Sequence, residues 1–530
     1  MKRAKLIEGK IWCTFPYDLE NLKMATAMFI IKGLKTIAPY EYTIPLTQEN
    51  VEVLITHNFE VSDELMEFLL QTKKESKKVI ETKIEGLKGE LFDYQKEGVA
   101  FLERKNGRVL LADQQGLGKT LQALAYLQRN PSIRPAVVVC PASLKLNWKA
   151  EAEKWTTIKA EVVKGIKPYQ TKAELIIINY DIVHCWIETL RKTEFKCLIL
   201  DESVAIKEST ARRTKAVKRL AKGIQHVIAL SGTPILNKPS EIYNTLAVVS
   251  PGLFDSPSKF KWRYCDMKYN GFGWDYSGAS HIPELHTILT STVMLRRLKE
   301  DVLKDLPDKL FSFVPIEIDN EGEYTKAESD FIAYIREKKG DEKALRAERA
   351  QQFAKIEVLK QLSVKGKIKA SIDWIDNLLS VDGKLVVFCS HHFVVDELMT
   401  KFKSIAVKLD GRDTAIEKNR SVEKFQSEER IRLFVGNIKA AGSGLTLTAS
   451  SNVAFMEYPW SPADLQQASD RCHRIGQKDT VNVYYLHGNN TIEERLIRIL
   501  DRKKLVLDAM LDGIDTQQEN LLTEIIKSYI

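Results

Sequence analysis

What the chain lacks narrows its class before any motif is read. Its seven cysteines (Cys13, Cys140, Cys185, Cys197, Cys265, Cys389, Cys472) never stand at a CxxC spacing. That argues against a zinc site and a disulfide framework, and predicts buried thiols in a reducing compartment. No apolar run reaches the roughly 18 residues that a membrane span requires. Lys2, Arg3 and Lys5 open the chain with no apolar core behind them. No signal peptide is therefore expected, and the expected location is the cytoplasm. Low-complexity tracts are absent, so an ordered globular chain is expected. Strong charge imbalance is also missing: a formal +8 over 530 residues is mildly basic. It permits an anionic partner without arguing for one.

What is present alternates. From about 86 to 250, short β-branched runs recur between helical periods: VLLA (Val109–Ala112), AVVVC (Ala136–Cys140), LIIIN (Leu175–Asn179), CLILD (Cys197–Asp201) and HVIALS (His226–Ser231). Continuous apolar runs separated by helices predict a parallel sheet covered on both faces. The rhythm returns from about 366 to 500 with KLVVFCS, IRLFVG, NVAFME and VNVYYL. The expected fold class is α/β, two doubly wound parallel-sheet lobes. Residues 1–85 are expected to form a small α+β region, with KIWCTF (Lys10–Phe15) and VEVLI (Val51–Ile55) as strands, LENLKMATAMF (Leu19–Phe29) as helix and a lysine-rich end (Lys73–Lys83). Residues 251–365 read as a helical insertion or linker between the lobes, and 501–530 as a helical tail.

The densest signal is DQQGLGKT (Asp113–Thr120), set between the run VLLA and the helical LQALAYLQ. Gly116 and Gly118 let a backbone wrap closely around a phosphate. The loop amides and the helix N-terminus face the anion. Lys119 adds a point charge, and Thr120 a hydroxyl for Mg²⁺. Asp113 replaces the first glycine of the usual pattern. A glycine-rich turn can be plain structure, so downstream partners decide. LILDES supplies Asp201 and Glu202 at a strand end, a metal-holding and a water-positioning carboxylate. Such a pair is often only a helix cap, but its place some eighty residues after the loop favours chemistry.

Other blocks are less specific. LSGTP (Leu230–Pro234) is an ordinary turn or a link between two ligands. GSGLTL (Gly442–Leu447) is a glycine turn or a set of small donors for a phosphodiester backbone. In QQASDRCHRIGQ (Gln466–Gln477), Arg471 and Arg474 stand three apart. On a helix both would face one cleft and could neutralise a transferred phosphoryl group; the alternative is a solvated basic helix. Gln95 in FDYQKEGV carries an amide able to pair with adenine.

In this order, FDYQKEGVAFL, ADQQGLGKTLQALA, VVVCPASLKLNWKAEAEKW, LILDES, ALSGTPILNKPSEIYN, KLVVFCS, AAGSGLTLTAS and ASDRCHRIGQKDTVNVYYL resemble the Swi/Snf-type helicase-like ATPases of helicase superfamily two, over about Leu91 to Arg498. The basic run RRLKEDVLKDLPDK resembles that family's link between lobes. The resemblance implies two RecA-like lobes that close on ATP and Mg²⁺ and move along double-stranded or branched DNA without separating it. It assigns Lys119, Asp201, Glu202, Arg471 and Arg474 to catalysis. Gln95, Gly116, Gly118, Lys119, Thr120 and Gln467 would bind nucleotide, and Thr120 and Asp201 the metal. Ser143, Thr233, Gly442, Ser443, Gly444 and Thr446 would touch DNA. The N-terminal region is loosely similar to the small module preceding the motor in the annealing-helicase (HARP-like, fork-remodelling) branch, which pairs with branched DNA. A compact chain of this kind suits a bacterial or viral setting, with a nuclear location if the source is eukaryotic.

Two departures stand out. Ser203–Val204 replaces the family's Ala-His after the acids, which puts in doubt the coupling of hydrolysis to DNA contact. Gln114–Gln115 replaces Glu-Met in the loop, where only backbone chemistry is expected. The alternatives are a strand-separating helicase, disfavoured by HRIGQ, and a nucleotide-binding DNA scaffold with impaired hydrolysis.

Overall fold

The β-branched runs become parallel strands whose alternate residues fill two opposite faces. The computed structural model describes residues 2–14, 35–38, 41–46, 48–56, 59–81, 83–236, 238–254, 256–269, 273–337, 345–381, 383–441 and 445–500. Two compact units divide the chain between Val302 and Leu303. The helix expected at Leu19–Phe29 and the tail 501–530 lie outside the described residues.

In the first unit, seven parallel strands are found among the described residues. Their order across the sheet is Met294–Leu295, Arg108–Leu111, His226–Leu230, Cys197–Asp201, Ala136–Cys140, Leu175–Asn179 and Ala160–Val162. Val109, Leu111, Val138, Ile177, Ile199 and Ile228 face one layer of helices, with Leu124, Leu127 and Trp148. Their neighbours Leu110, Val137, Val139, Ile176, Leu198 and Val227 are equally buried. This is why these runs are apolar between their ends: a period of two with both faces covered leaves no polar position in the strand interior. Strand ends carrying Ala112, Asp201 and Leu230 point the same way, the usual place for ligands in such sheets.

Ahead of this sheet lies a smaller, mostly antiparallel one, ordered Lys35–Ala38, Glu41–Pro45, Lys10–Thr14, Arg3–Ile7 and Glu60–Val61. VEVLI, expected as a strand, instead belongs to the helix Gln48–Thr56. Val51 and Leu54 are both fully buried while Ile55 is exposed; a spacing of three on the core face is helical, whereas a strand would bury Val51, Val53 and Ile55 together. The lysine-rich stretch ends the helix Asp63–Glu81.

The second unit holds six parallel strands among the described residues, ordered Lys309–Ile316, Val481–Gly488, Asn452–Phe455, Leu385–Cys389, Leu433–Asn437 and Ala406–Leu409. Val386, Phe388, Phe434 and Phe455 pack one face; Leu385, Val387, Leu433 and Val435 pack the other. The stretch 251–365, expected as one inserted helical piece, is divided. Met294–Leu295 completes the first sheet and Lys309–Ile316 extends the second along eight registered pairs. The helix Leu345–Val381 runs through the expected boundary at 365. Lys367 pins that helix: its ammonium donates to Leu486 O and Glu493 Oε2, each at 2.6 Å, in complete burial. All seven cysteines are free, and six are buried. Among the described residues no helix is long and apolar enough to cross a membrane.

Candidate nucleotide-binding site

The phosphate loop leaves the strand Arg108–Leu111 and enters the helix Lys119–Arg129. Gly116 and Gly118 hold φ of 92° and 73°, the left-handed region where a side chain is strained. At Gly118 the space is also closed: a Cβ would lie 2.4 Å from Gln95 Nε2. The Lys119 ammonium donates to the loop's own carbonyls, Asp113 O at 2.7 Å and Gln114 O at 3.3 Å. Thr120 follows it in the first turn. Gln95 is buried, donates to Leu117 O at 3.4 Å and accepts from the Phe92 backbone N–H at 3.1 Å. Its amide is thus engaged with the loop and its own helix start.

Asp113, in place of a glycine, is a fully buried carboxylate. Arg297 meets it through two bonds, Nε to Oδ1 at 3.0 Å and Nη2 to Oδ2 at 2.6 Å. Gln122 Nε2 adds a third at 3.0 Å. Arg297 also reaches Tyr94 O and Gln122 Oε1. Sequence reading missed this residue, because its partner lies 184 positions away and RRLK reads as an ordinary basic run. An acid where the loop pattern has a glycine was the available clue, since such a charge, once buried, requires a cation.

The acidic pair closes the strand Cys197–Asp201, separated from the loop's strand by His226–Leu230. Trp148 Nε1 donates to Asp201 Oδ2 at 2.7 Å, and the Glu202 backbone N–H to Oδ1 at 3.0 Å. Burial, then the neighbouring Glu202 charge, pushes the Asp201 carboxyl up to about 7. Glu202 sits at φ 48°, a strained conformation for a side-chain-bearing residue. Gln115 Nε2 donates to Glu202 Oε1 at 3.0 Å, and Gln114 Oε1 accepts from the Lys299 backbone N–H at 2.8 Å. The expectation that Gln114 and Gln115 act through backbone alone is therefore corrected. Both side chains join the loop to other segments, and Gln115 joins it directly to the acid. Ser203 and Val204 begin the short turn Ser203–Ile206; Thr245 Oγ1 donates to Ser203 O at 3.3 Å. Thr233 is buried at the end of the His226–Leu230 strand, and Ser143 lies in the turn Ala142–Leu144.

In the second unit the helix Pro462–Ser469 ends before the arginines. Asp470–Gly476 is a turn, with Gly476 at φ 99°. The expected helical period between Arg471 and Arg474 does not hold. The reason is local. Gln477 Nε2 donates to the carbonyls of Thr448, Ser450 and Cys472, while its Oε1 accepts from the N–H groups of Lys478 and Asp479. Asp470 binds Lys309 Nζ at 2.5 Å, and the His473 ring contacts Pro307 O at 2.7 Å. Arg471 is 0% exposed. Arg474 is half-buried; its Nε donates to Asp470 O and its Nη1 to Thr446 Oγ1 at 3.4 Å. Gln467 is on the preceding helix. Gly442, Ser443 and Gly444 lie outside the described residues, and Thr446 is exposed.

A second acid–base pair sits at strand ends in this unit. Glu457 accepts from the backbone N–H groups of Ser390 (2.6 Å) and His391 (2.8 Å), and its other oxygen meets His391 Nδ1. The Glu457 bond holds the imidazole above its ordinary range. Burial works to raise Glu457, but the His391 bond and charge and the two N–H groups bring it below its ordinary range. The pair's stabilisation is complete between the ordinary values of 4.5 and 6.5. It is lost at higher pH as His391 deprotonates, and at lower pH as Glu457 protonates. The Tm difference between wild type and His391→Asn is therefore expected to be largest inside that window and to shrink toward alkaline pH; a difference constant to high pH would show that the pair is not ionic.

Comparison with known proteins follows the same outline. A Caenorhabditis elegans protein, "SWI/SNF-related matrix-associated actin-dependent regulator of chromatin subfamily A-like protein 1 homolog", is 35% identical over 441 residues, covering 80% of this chain and 62% of the relative. The Xenopus tropicalis "SWI/SNF-related matrix-associated actin-dependent regulator of chromatin subfamily A-like protein 1" is 33% identical, covering 79% of this chain and 44% of its own. The human "DNA annealing helicase and endonuclease ZRANB3" is 31% identical, covering 81% of this chain and 41% of its own. The chain thus spans roughly half the length of these relatives. A solved Sulfolobus solfataricus SWI2/SNF2 ATPase core in complex with dsDNA aligns at 26% identity over 82% of this chain and 95% of its own, with a TM-score of 0.40. A SNF2-related domain matches residues 94–365 and a helicase conserved C-terminal domain residues 366–476, and with more than half its length covered by the first of these the chain belongs to the SNF2-related family.

Proposed function

We propose that the chain is a DNA-stimulated ATPase that moves along double-stranded or branched DNA and couples hydrolysis to DNA remodelling or strand annealing. The observation that carries this reading is the placement of Lys119 with Asp201 and Glu202 at the ends of two strands one apart in the same sheet, tied together by the Gln115–Glu202 bond. In its support, relatives are named as chromatin regulators and an annealing helicase. Gly116, Gly118 and Lys119 cradle the phosphates. Gln95 and Gln467 contact the nucleotide. Glu202 orients and polarises the attacking water. Arg474, with Arg471, supplies positive charge to the transferred phosphoryl group. Ser143, Thr233, Gly442, Ser443, Gly444 and Thr446 touch the DNA backbone, which positions without reading sequence.

The chain's residues fit a divalent cation. Asp201 is a buried acid raised by its own surroundings and by Glu202, and a nearby cation is what would hold it ionised. Asp201 and the Thr120 hydroxyl would hold Mg²⁺, which when bound neutralises charge on the transferred phosphoryl group. Trp148 fixes the orientation of Asp201.

ATP turnover is expected to rise several-fold on adding double-stranded DNA, and the DNA affinity behind that rise to fall with salt, because phosphate contacts release counterions. A triplex-forming strand is displaced while a blunt duplex stays paired. A turnover rate that DNA does not move overturns the proposal, and separation of the blunt duplex replaces it with strand-separating activity.

A further inference from the structure

Three large aromatic side chains stand in solvent on one part of the first unit. Trp262, on the helix Pro257–Tyr264, is 65% exposed. Tyr269 and Trp274 pair across the antiparallel hairpin Lys268–Tyr269/Trp274–Asp275 and are 62% and 54% exposed. They form a row. Trp262 and Trp274 meet at 6.4 Å between ring centroids, Trp274 and Tyr269 at 5.6 Å, both edge to face. The fold does not require them outside. The buried side of the same helix is already filled by Phe260 and Tyr264, which pack on Phe254. Clustered exposed aromatics mark an interaction surface.

Charge lies beside the row. Lys261 and Lys238 place their ammoniums 3.6 and 4.7 Å from the centroid of the Tyr276 ring. Two like charges gathered around one ring make the local potential positive and favour an anion nearby. Among the described residues, no carboxylate pairs with either lysine. The nearby acids are engaged elsewhere: Asp266 with Lys268 at 2.7 Å, and Asp275 with the Ser277 backbone N–H at 3.0 Å.

We propose that this surface binds unpaired nucleic acid, a few nucleotides of single strand. Bases stack on Trp262, Trp274 and Tyr269, while Lys238 and Lys261 take the backbone phosphates. The occupant follows from the chemistry. A duplex keeps its base faces inside its own stack and offers nothing to these rings, whereas single strands, ends and branch points do. An apolar protein partner would find ammoniums at the border of the row. The inference stands apart from the ATP site, so single-strand affinity tests it and duplex-stimulated turnover tests the other.

The experiment measures binding of the full chain to a labelled twenty-nucleotide oligo(dT) and to a matching duplex, across a salt series. The double variant Trp262→Ala/Trp274→Ala is expected to lose about ten- to a hundredfold in oligo(dT) affinity. Duplex affinity and duplex-stimulated turnover stay unchanged. The loss persists at high salt, where phosphate contacts are weakened. Trp274→Phe, which preserves stacking and bulk, retains binding; Trp274→Leu, which preserves only apolar bulk, does not. Unchanged oligo(dT) affinity in the double variant overturns the proposal. So does an equal loss for duplex and single strand, or full binding by Trp274→Leu. Self-association of the wild type that the double variant lacks, with oligo(dT) binding intact, also overturns it by assigning the row to a second copy of the chain.

Discussion

Glu202→Gln lowers DNA-stimulated ATP turnover by about 10²–10⁴-fold, the usual contribution of a positioned general base, while ATP binding survives. The substitution keeps the side chain's size and removes the charge that polarises water. Gln115, which donates to Glu202 Oε1, still finds an acceptor in the new amide, so the loop-to-acid connection persists and the loss is one of chemistry. Single-turnover hydrolysis beside equilibrium binding of a fluorescent ATP analogue separates the two effects. Turnover within tenfold of wild type would show that Glu202 is not the base. A parallel loss of nucleotide binding would show that it is a structural partner of the loop.

Arg297→Ala is expected to destabilise the first unit by about 3–5 kcal/mol, because it leaves the Asp113 carboxylate buried without its cation. At about 2–4 °C per kcal/mol, the first thermal transition falls on the order of 10 °C. Asp113→Asn restores part of that loss in the Arg297→Ala background, since the uncompensated charge and not the missing guanidinium carries most of the penalty. Differential scanning calorimetry of the single and double variants reads the coupling directly. Additive effects of the two substitutions would show that the pair is not a unit. The prediction also bears on the site: a loop whose first residue is no longer held binds nucleotide more weakly even where the fold survives.

The difference between these two residues shows how far a sequence can be read. Glu202 was legible because the strand it follows, CLILD, is apolar up to its closing Asp201, and the acid pair and the loop lie at a recognisable separation. Strands buried on both faces have no polar position to blur the pattern. Arg297 was hidden because its meaning is non-local and the strand before it, Met294–Leu295, has only two residues, too few to show a period. The segment was therefore expected to belong between lobes. The arginines of HRIGQ failed for another reason. Residue spacing suggested a helix, but Gln477 binds five backbone groups and stabilises a turn that competes with it. VEVLI carried a β-rich composition on a helical core spacing, and burial decided for the spacing. The roles of Gln114 and Gln115 depended on partners 185 and 87 positions away, beyond any local signal.

The Arg297–Asp113 pair has a mechanical consequence. Arg297 lies two residues beyond the edge strand and five before Val302, where the first unit ends. Lys299, just after it, is held by Gln114. The chain therefore does not leave the first unit from a slack loop. It leaves from a segment bolted at two points to the glycine-rich turn Asp113–Gly118. Tension in the chain beyond Val302 arrives at Asp113 and Gln114 before the rest of the sheet feels it, and displacement of that turn pulls in the reverse direction along the same few bonds.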